Sequence, residues 1–154
     1  MMQLYLVQHG QALSKDADPE RPLSDKGQAD IERLAEWLGG NGVKITTILH
    51  SGKTRAHQTA ELLERLLKPA GQIHQEKGLG PNDSPKIFLD GLHDHLEDIL
   101  VAGHMPFVAR VVSVALTGGP DRHVVEFQPG TVAGLVRDDA VAWRLFLFAR
   151  PGFF

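Results

Sequence analysis

Three places in this chain hold side chains that could act together on an anion: His9 in Gln8-His9-Gly10, Ser51 with Arg55 in the stretch 51–59, and His104 in Gly103-His104-Met105-Pro106. Two imidazoles and a guanidinium suit phosphate. Arginine offers a planar fork of donors that matches two phosphate oxygens at once. A neutral imidazole nitrogen is a competent nucleophile toward phosphorus near neutral pH. A second imidazole, once protonated, can donate to the equatorial oxygens as charge redistributes. Phosphoryl transfer asks a protein mainly for this kind of positioning and electrostatic stabilisation. Each histidine taken singly also fits a solvated loop residue, and spacing alone leaves both readings open.

The elements that must bring the three places together are legible in the hydrophobic pattern. Residues 4–7 are an apolar run that ends at Gln8-His9-Gly10 and read as a buried strand. A polar loop with Pro19 and Pro22 follows over 11–23. Ser24 then caps a helix whose Ile31, Leu34, Ala35 and Leu38 fall at i, i+3, i+4 and i+7, with Gly39-Gly40 as its stop. Residues 45–49 read as a second strand, ending at His50-Ser51-Gly52. A helix with Ala56, Ala60, Leu63 and Leu67 on one stripe is ended by Pro69. Residues 72–75 read as a short strand and 78–83 as a loop. Ser84-Pro85 opens a helix expected to reach about Leu96. Residues 99–102 form a further apolar strand, ending at Gly103-His104, and Pro106 opens a helix stopped by Gly118-Gly119. Residues 124–127, 131–136 and 141–148 read as strands, the last two joined at Asp138-Asp139.

This alternation predicts a three-layer α/β/α sandwich around a mainly parallel mixed sheet, with antiparallel strands late in the chain. His9, Ser51 with Arg55, and His104 then all lie just past the C-terminal ends of strands. That is the edge at which open α/β sheets bind ligands.

Composition narrows the function classes. The chain has 154 residues, which predicts one domain over 1–154 with a core that needs no disulfide or structural metal. The formal net charge is -3, without the basic excess of a nucleic-acid binder. The absence of cysteine excludes a disulfide scaffold, a thiolate zinc site and a cysteine nucleophile. Met1-Met2-Gln3 leads straight into the first strand without a basic leader, and no apolar run approaches a membrane span. A cytoplasmic protein is the expectation, with no membrane or nucleic-acid partner.

The blocks themselves resemble a known family. Residues 4–10, ending in Gln8-His9-Gly10, are similar to the first motif of the histidine phosphatase (phosphoglycerate mutase-like) superfamily, usually Arg-His-Gly after a strand. Arg21-Pro22-Leu23-Ser24 followed by Gly27 resembles its second block. Residues 51–59 resemble its Ser-x-x-x-Arg-Ala-x-Gln-Thr block, and 103–106 its Gly-His-x-Pro block. The blocks stand in family order. The short chain, with one short strand, one loop and one helix between the Arg55 helix and the His104 strand, resembles the SixA-type phosphohistidine phosphatases, whose open site suits a phosphate carried on a protein surface.

The resemblance implies a ping-pong phosphatase. His9 would take the phosphoryl group and water would then release it, while Arg55 and His104 clamp the oxygens, with Gln8 and Arg21 as further phosphate-binding positions. Asp83 and Asp18 are the candidate general acids. A histidine-phosphorylated protein domain is the expected substrate, with no cofactor and no metal. The alternatives are a phosphatase of small phosphomonoesters and a non-catalytic phospho-recognition module. The second arises because Gln8 replaces the usual arginine and brings no charge. Gly52 stands where proline is usual and Met105 where asparagine is commoner.

Other signals carry less. Gly52-Lys53-Thr54 echoes a P-loop, but Thr47 occupies the position where that motif needs glycine. His93 and His95, at i and i+2 of a helix, would not share a face to hold a metal. His57 is expected to face solvent, and His50, His74 and His123 have no partner readable in the sequence. Trp37 and Trp143 read as core or edge packing, and Phe153-Phe154 as an apolar end that could contact another subunit.

Overall fold

The structure is a computed structural model that describes residues 1–138 and 142–154. Six strands form one sheet: β1 (Met2–Gln8), β2 (Thr47–His50), β3 (Ile73–Gln75), β4 (Ile99–Gly103), β5 (Val132–Arg137) and β6 (Trp143–Ala149), in the spatial order β3-β2-β4-β1-β5-β6. β3, β2, β4 and β1 run parallel, while β5 is antiparallel to both β1 and β6. The four helices are α1 (Asp25–Gly40), α2 (Thr54–Leu67), α3 (Pro85–Gly91) and α4 (Phe107–Thr117).

The period-two alternation of a strand divides the core in two. From β1, Leu4 and Leu6 pack with Val101, Phe107, Val108 and Val111 on the α3–α4 side. Tyr5 and Val7 pack with Ile31, Leu34, Leu38, Ile48 and Leu63 on the α1–α2 side. The apolar run 4–7 at the centre of β1 is what a sheet covered on both faces requires. The result is the expected three-layer sandwich.

Capping follows the sequence reading where side chains decide it. Ser24 accepts the Gly27 N–H at the start of α1, and Ser84 accepts the Ile87 N–H at the start of α3 with Pro85 just inside. Four expectations need correction or bounding. Gly39 and Gly40 do not stop α1 but form its last turn, with Asn41 as the cap. α3 ends at Gly91 rather than near Leu96. The reason is tertiary: buried Arg137 of β5 donates to the carbonyls of Leu92 (2.8 Å) and His95 (2.6 Å), holding that stretch as turns. Residues 124–127 form no strand; they lead to β5, whose two edges are already taken by β1 and β6, and Phe127 packs into the α3–α4-side core. The expected strand over 141–148 is β6, but Asp139 and Val141 lie outside the described residues. Phe154 stacks on Trp37 at 5.5 Å between ring centroids, so only Phe153 stands exposed.

Close backbone packing seats the loop after β1. A β-carbon on Gly27 would lie 2.1 Å from the Gln11 carbonyl oxygen, and one on Gly10 would lie 2.8 Å from the Gly27 carbonyl oxygen. The first turn of α1 therefore presses directly on the chain that leaves His9. No side chain fits between them.

Candidate active site

Parallel registry brings the first and last blocks together. Gln8 sits opposite Gly103, and the His9 N–H donates to the Gly103 carbonyl at 2.9 Å. His9 and His104 thus leave adjacent strands at the same edge, with ring centroids 5.2 Å apart. The third block arrives through β2, which pairs with β4 on the other side. Arg55 lies in the first turn of α2 and its Nε–H donates to His9 Nε2 at 3.3 Å. Ser51 Oγ lies 2.6 Å from His104 Nε2. The three places singled out in the sequence converge.

The tautomer of His9 follows from its partners. Nδ1 lies 2.7 Å from the Gly10 carbonyl oxygen, which can only accept, so Nδ1 carries the proton. Nε2 is left with a lone pair, held against Arg55. Burial pushes His9 down to about 4; the Gly10 hydrogen bond opposes this, and Arg55 and Arg21 reinforce it. Burial likewise pushes His104 down to about 3, reinforced by His9, Arg55, Lys53 and Arg21. Arg55 is itself lowered by burial and by Arg21. Both imidazoles are therefore neutral at pH 7, and among the described residues the charges acting on them are cationic. At the same place α2 begins with no acidic residue in its first turn and no side-chain cap from Lys53, which leaves the positive end of its dipole uncompensated. An oxyanion would supply the charge this pocket lacks.

A measurable consequence concerns His104. With a sulfate dianion bound, the opposite charge favours the imidazolium, and the pKa of His104 should rise by about one pH unit or more. Its ring proton shift followed by NMR from pH 8 to pH 4 should stay flat without sulfate and titrate with it. Identical curves would place His104 away from the anion.

The remaining candidates are placed differently. Arg21, at φ +49°, donates from Nε to the Leu13 carbonyl (3.1 Å) and acts on His9, Arg55 and His104 through its charge. Gln8 is 9% exposed, and its Oε1 is buried without a hydrogen-bond partner among the described residues. The other such atom is His104 Nδ1. Asp18 and Asp83 each hold a hydrogen bond within their own loop. Asp18 Oδ1 accepts the Glu20 N–H at 3.0 Å, and Asp83 Oδ2 accepts the Gly80 N–H at 2.7 Å. Asp83 lines a groove of about 490 Å³ between the β2–β3 edge and α3 that contains none of His9, Arg55 and His104. No group of three metal-ligating side chains is found among the described residues.

Two residues of the third block do more than mark it. Thr59 Oγ1 accepts the Gly10 N–H (3.1 Å) and donates to the Arg55 carbonyl (2.8 Å), fastening the nucleophile loop to the arginine turn. Gln58 Oε1 accepts the Leu23 N–H at 2.7 Å and ties the 11–23 loop to α2. Sequence reasoning missed His50, which is buried and accepts the Gly52 N–H. The signal lay in its place, a histidine closing a strand two residues before a glycine turn.

Comparison with known proteins agrees with this geometry. Residues 4–80 match the histidine phosphatase superfamily (branch 1). The chain is 30% identical over 122 residues to the phosphohistidine phosphatase SixA of Escherichia coli, covering 76% of each chain. It is 32% identical over 142 residues to a protein of Picosynechococcus sp., covering 87% of this chain and 84% of that one. A solved structure of the protein histidine phosphatase SixA complexed with tungstate matches it with a TM-score of 0.85 at 26% identity, over 97% of both chains. With its sequence blocks gathered at one sheet edge and these likenesses along most of its length, the chain belongs to the histidine phosphatase superfamily and is a phosphatase.

Proposed function

We propose that this chain, acting as one domain over residues 1–154, removes phosphate from phosphohistidine on a protein through a covalent intermediate on His9. His9 Nε2 attacks phosphorus as the P–N bond of the substrate breaks, and the departing imidazole takes up a proton. Water then attacks the phosphorus of phospho-His9. The second P–N bond breaks, inorganic phosphate leaves, and Nε2 regains its lone pair. Arg55 and His104 hold the equatorial oxygens in both steps, and Arg21 adds positive charge.

The observation that carries the substrate class is the charge set around the two imidazoles. Among the described residues the charges acting on His9 and His104 are cationic, and the carboxylates of Asp18 and Asp83 each accept a backbone N–H of their own turn. An alkoxide leaving group needs a strong acid beside it. A departing imidazole does not, because it is a weak enough base to leave once protonated by solvent. Transfer from one imidazole to another also exchanges like bonds, so the first step is close to balanced. The SixA relatives support the same reading, one named a phosphohistidine phosphatase and one solved with tungstate, a phosphate-like oxyanion. No helix among the described residues is long and apolar enough to cross a membrane. On the likeness to SixA, we place the protein in the cytoplasm with a histidine-phosphorylated domain as partner. The test is a comparison of kcat/KM for such a domain with that for small phosphomonoesters. A preference of a hundred-fold or more for the domain is expected; equal or reversed values would make this a small-ester phosphatase.

Gln8 favours one second reading, a module that binds phospho-groups without turnover. A neutral amide makes a weaker phosphate contact than a guanidinium, by about 1.5–3 kcal/mol for a hydrogen bond to a charged group. Gln8→Arg should therefore tighten phosphate inhibition by about ten- to a hundred-fold. Unchanged inhibition by phosphate or vanadate would show that Gln8 does not line the pocket.

A further inference from the structure

One buried titratable side chain at this edge has no part in the chemistry above. His50 closes β2 and is 5% exposed. Its carbonyl accepts the Glu76 N–H at 2.9 Å, and its register partners are Gln75 on β3 and Ala102 on β4. Its Nδ1 accepts the Gly52 N–H at 3.0 Å. A ring nitrogen that accepts is unprotonated, so the proton of His50 sits on Nε2 and the ring is neutral.

The turn that follows is held from two sides. Gly52 has φ +91°, a backbone conformation that favours glycine, and a β-carbon there would lie 2.4 Å from Gln75 Nε2. Gln75 thus packs on one face of Gly52 while His50 takes its N–H. Between them stands Ser51. Its Oγ contacts His104 Nε2 at 2.6 Å and also accepts the Lys53 N–H at 3.3 Å. The His50 ring is kept in plane by His57 of α2, stacked at 4.7 Å and 19°, and His57 in turn lies 3.6 Å from Glu61.

We propose that His50 is a positioning residue, whose unprotonated Nδ1 fixes the 50–52 turn and thereby holds Ser51 on His104. The proposal rests on the reading of His104 as a phosphate clamp. Protonation of His50 would set one N–H against another at Gly52 and release the turn. The groups facing the ring are His57 and Glu61 from α2; β3 presents uncharged Gln75, with Glu76 following it, and β4 presents Ala102. Burial, then the charge of His57, disfavours the imidazolium of His50, while Glu61 opposes them, so the neutral ring is the resting state.

His50→Asn and His50→Leu separate this role from mere filling of space. Asparagine can offer its Oδ1 to the Gly52 N–H and does not titrate; leucine fills the site and accepts nothing. His50→Leu should lower kcat/KM by about ten- to a hundred-fold, mostly in kcat, as expected for a slightly misplaced clamp. It should also shift the Gly52 amide and His104 ring resonances and weaken sulfate binding. His50→Asn should recover most of each and move the acid limb of the rate profile to lower pH. A folded His50→Leu protein with wild-type His104 resonances and wild-type kcat/KM would overturn the proposal, as would His50→Asn damaged to the same degree. If His50→Leu does not fold, the comparison is His50→Asn against wild type on acidification. Wild type should lose its Ser51–His104 signature first, and equal loss in both would refute the role. Should wild type show no turnover at all, the proposed function fails, and the resonances and sulfate affinity still decide whether His50 positions His104.

Discussion

Replacing His9 by alanine will reduce turnover of a histidine-phosphorylated domain by a factor on the order of 10⁴ or more, because it removes the Nε2 lone pair that Arg55 holds at the pocket, while the Nε2 of His104 is engaged with Ser51. The loss should appear in kcat and leave the fold intact. The His9 side chain donates to the neighbouring Gly10 carbonyl and accepts from Arg55, and nothing in the apolar core depends on it. A thermal midpoint within a few degrees of wild type, about the effect of 1 kcal/mol or less, is therefore expected. Phosphate should still inhibit any residual activity, since Arg55 and His104 remain. Turnover surviving in His9→Ala at a tenth of wild type would mean that the phosphoryl group passes directly to water.

The second large effect is expected at Arg55. Removing one donor that stabilises charge in a transition state costs about 10²–10³ in rate, and Arg55→Ala should fall in that range for kcat/KM. Arg55→Lys restores a charge without the fork and should recover only part of it. A pH signature accompanies the loss. Arg55 is one of the charges that lower His9, so its removal lets His9 rise from about 4 toward its ordinary value. The unprotonated nucleophile is then lost at a higher pH. The acid limb of kcat/KM should move up in Arg55→Ala, and the deficit relative to wild type should be greater at pH 5 than at pH 8. A deficit independent of pH would mean that Arg55 holds substrate but does not tune His9.

How much of this was legible before the structure differs by element. The central strands β1 and β4 read correctly because a strand buried on both faces carries a continuous apolar run, and the serine caps read correctly because capping is local. The helix from Ser84 was overextended because its end is set by Arg137, a side chain more than forty positions away that takes the carbonyls of Leu92 and His95. Residues 124–127 have the composition of a strand, but they lead into β5, both of whose edges are taken by β1 and β6. At the site, His9, Arg55 and His104 were visible as residues that follow strands, and parallel pairing does the rest. The tautomer of His9 was not visible, since it depends on which carbonyl the ring meets. Nor was the service of Thr59 and Gln58, whose partners Gly10 and Leu23 belong to a different block. His50 lay outside the family's blocks in the reading, and only its contacts with Gly52 and His57 give it a place.

The central claim is that the phosphoryl group rests on His9 between substrate and water. Single-turnover transfer from a domain carrying labelled phosphohistidine tests it most directly, with the reaction stopped in alkali and the label on this chain mapped by peptide. Alkali-stable, acid-labile label on the peptide containing His9, rising and then decaying as free phosphate appears, is the predicted result. Free phosphate released at the full rate with no label ever on that peptide would contradict the account.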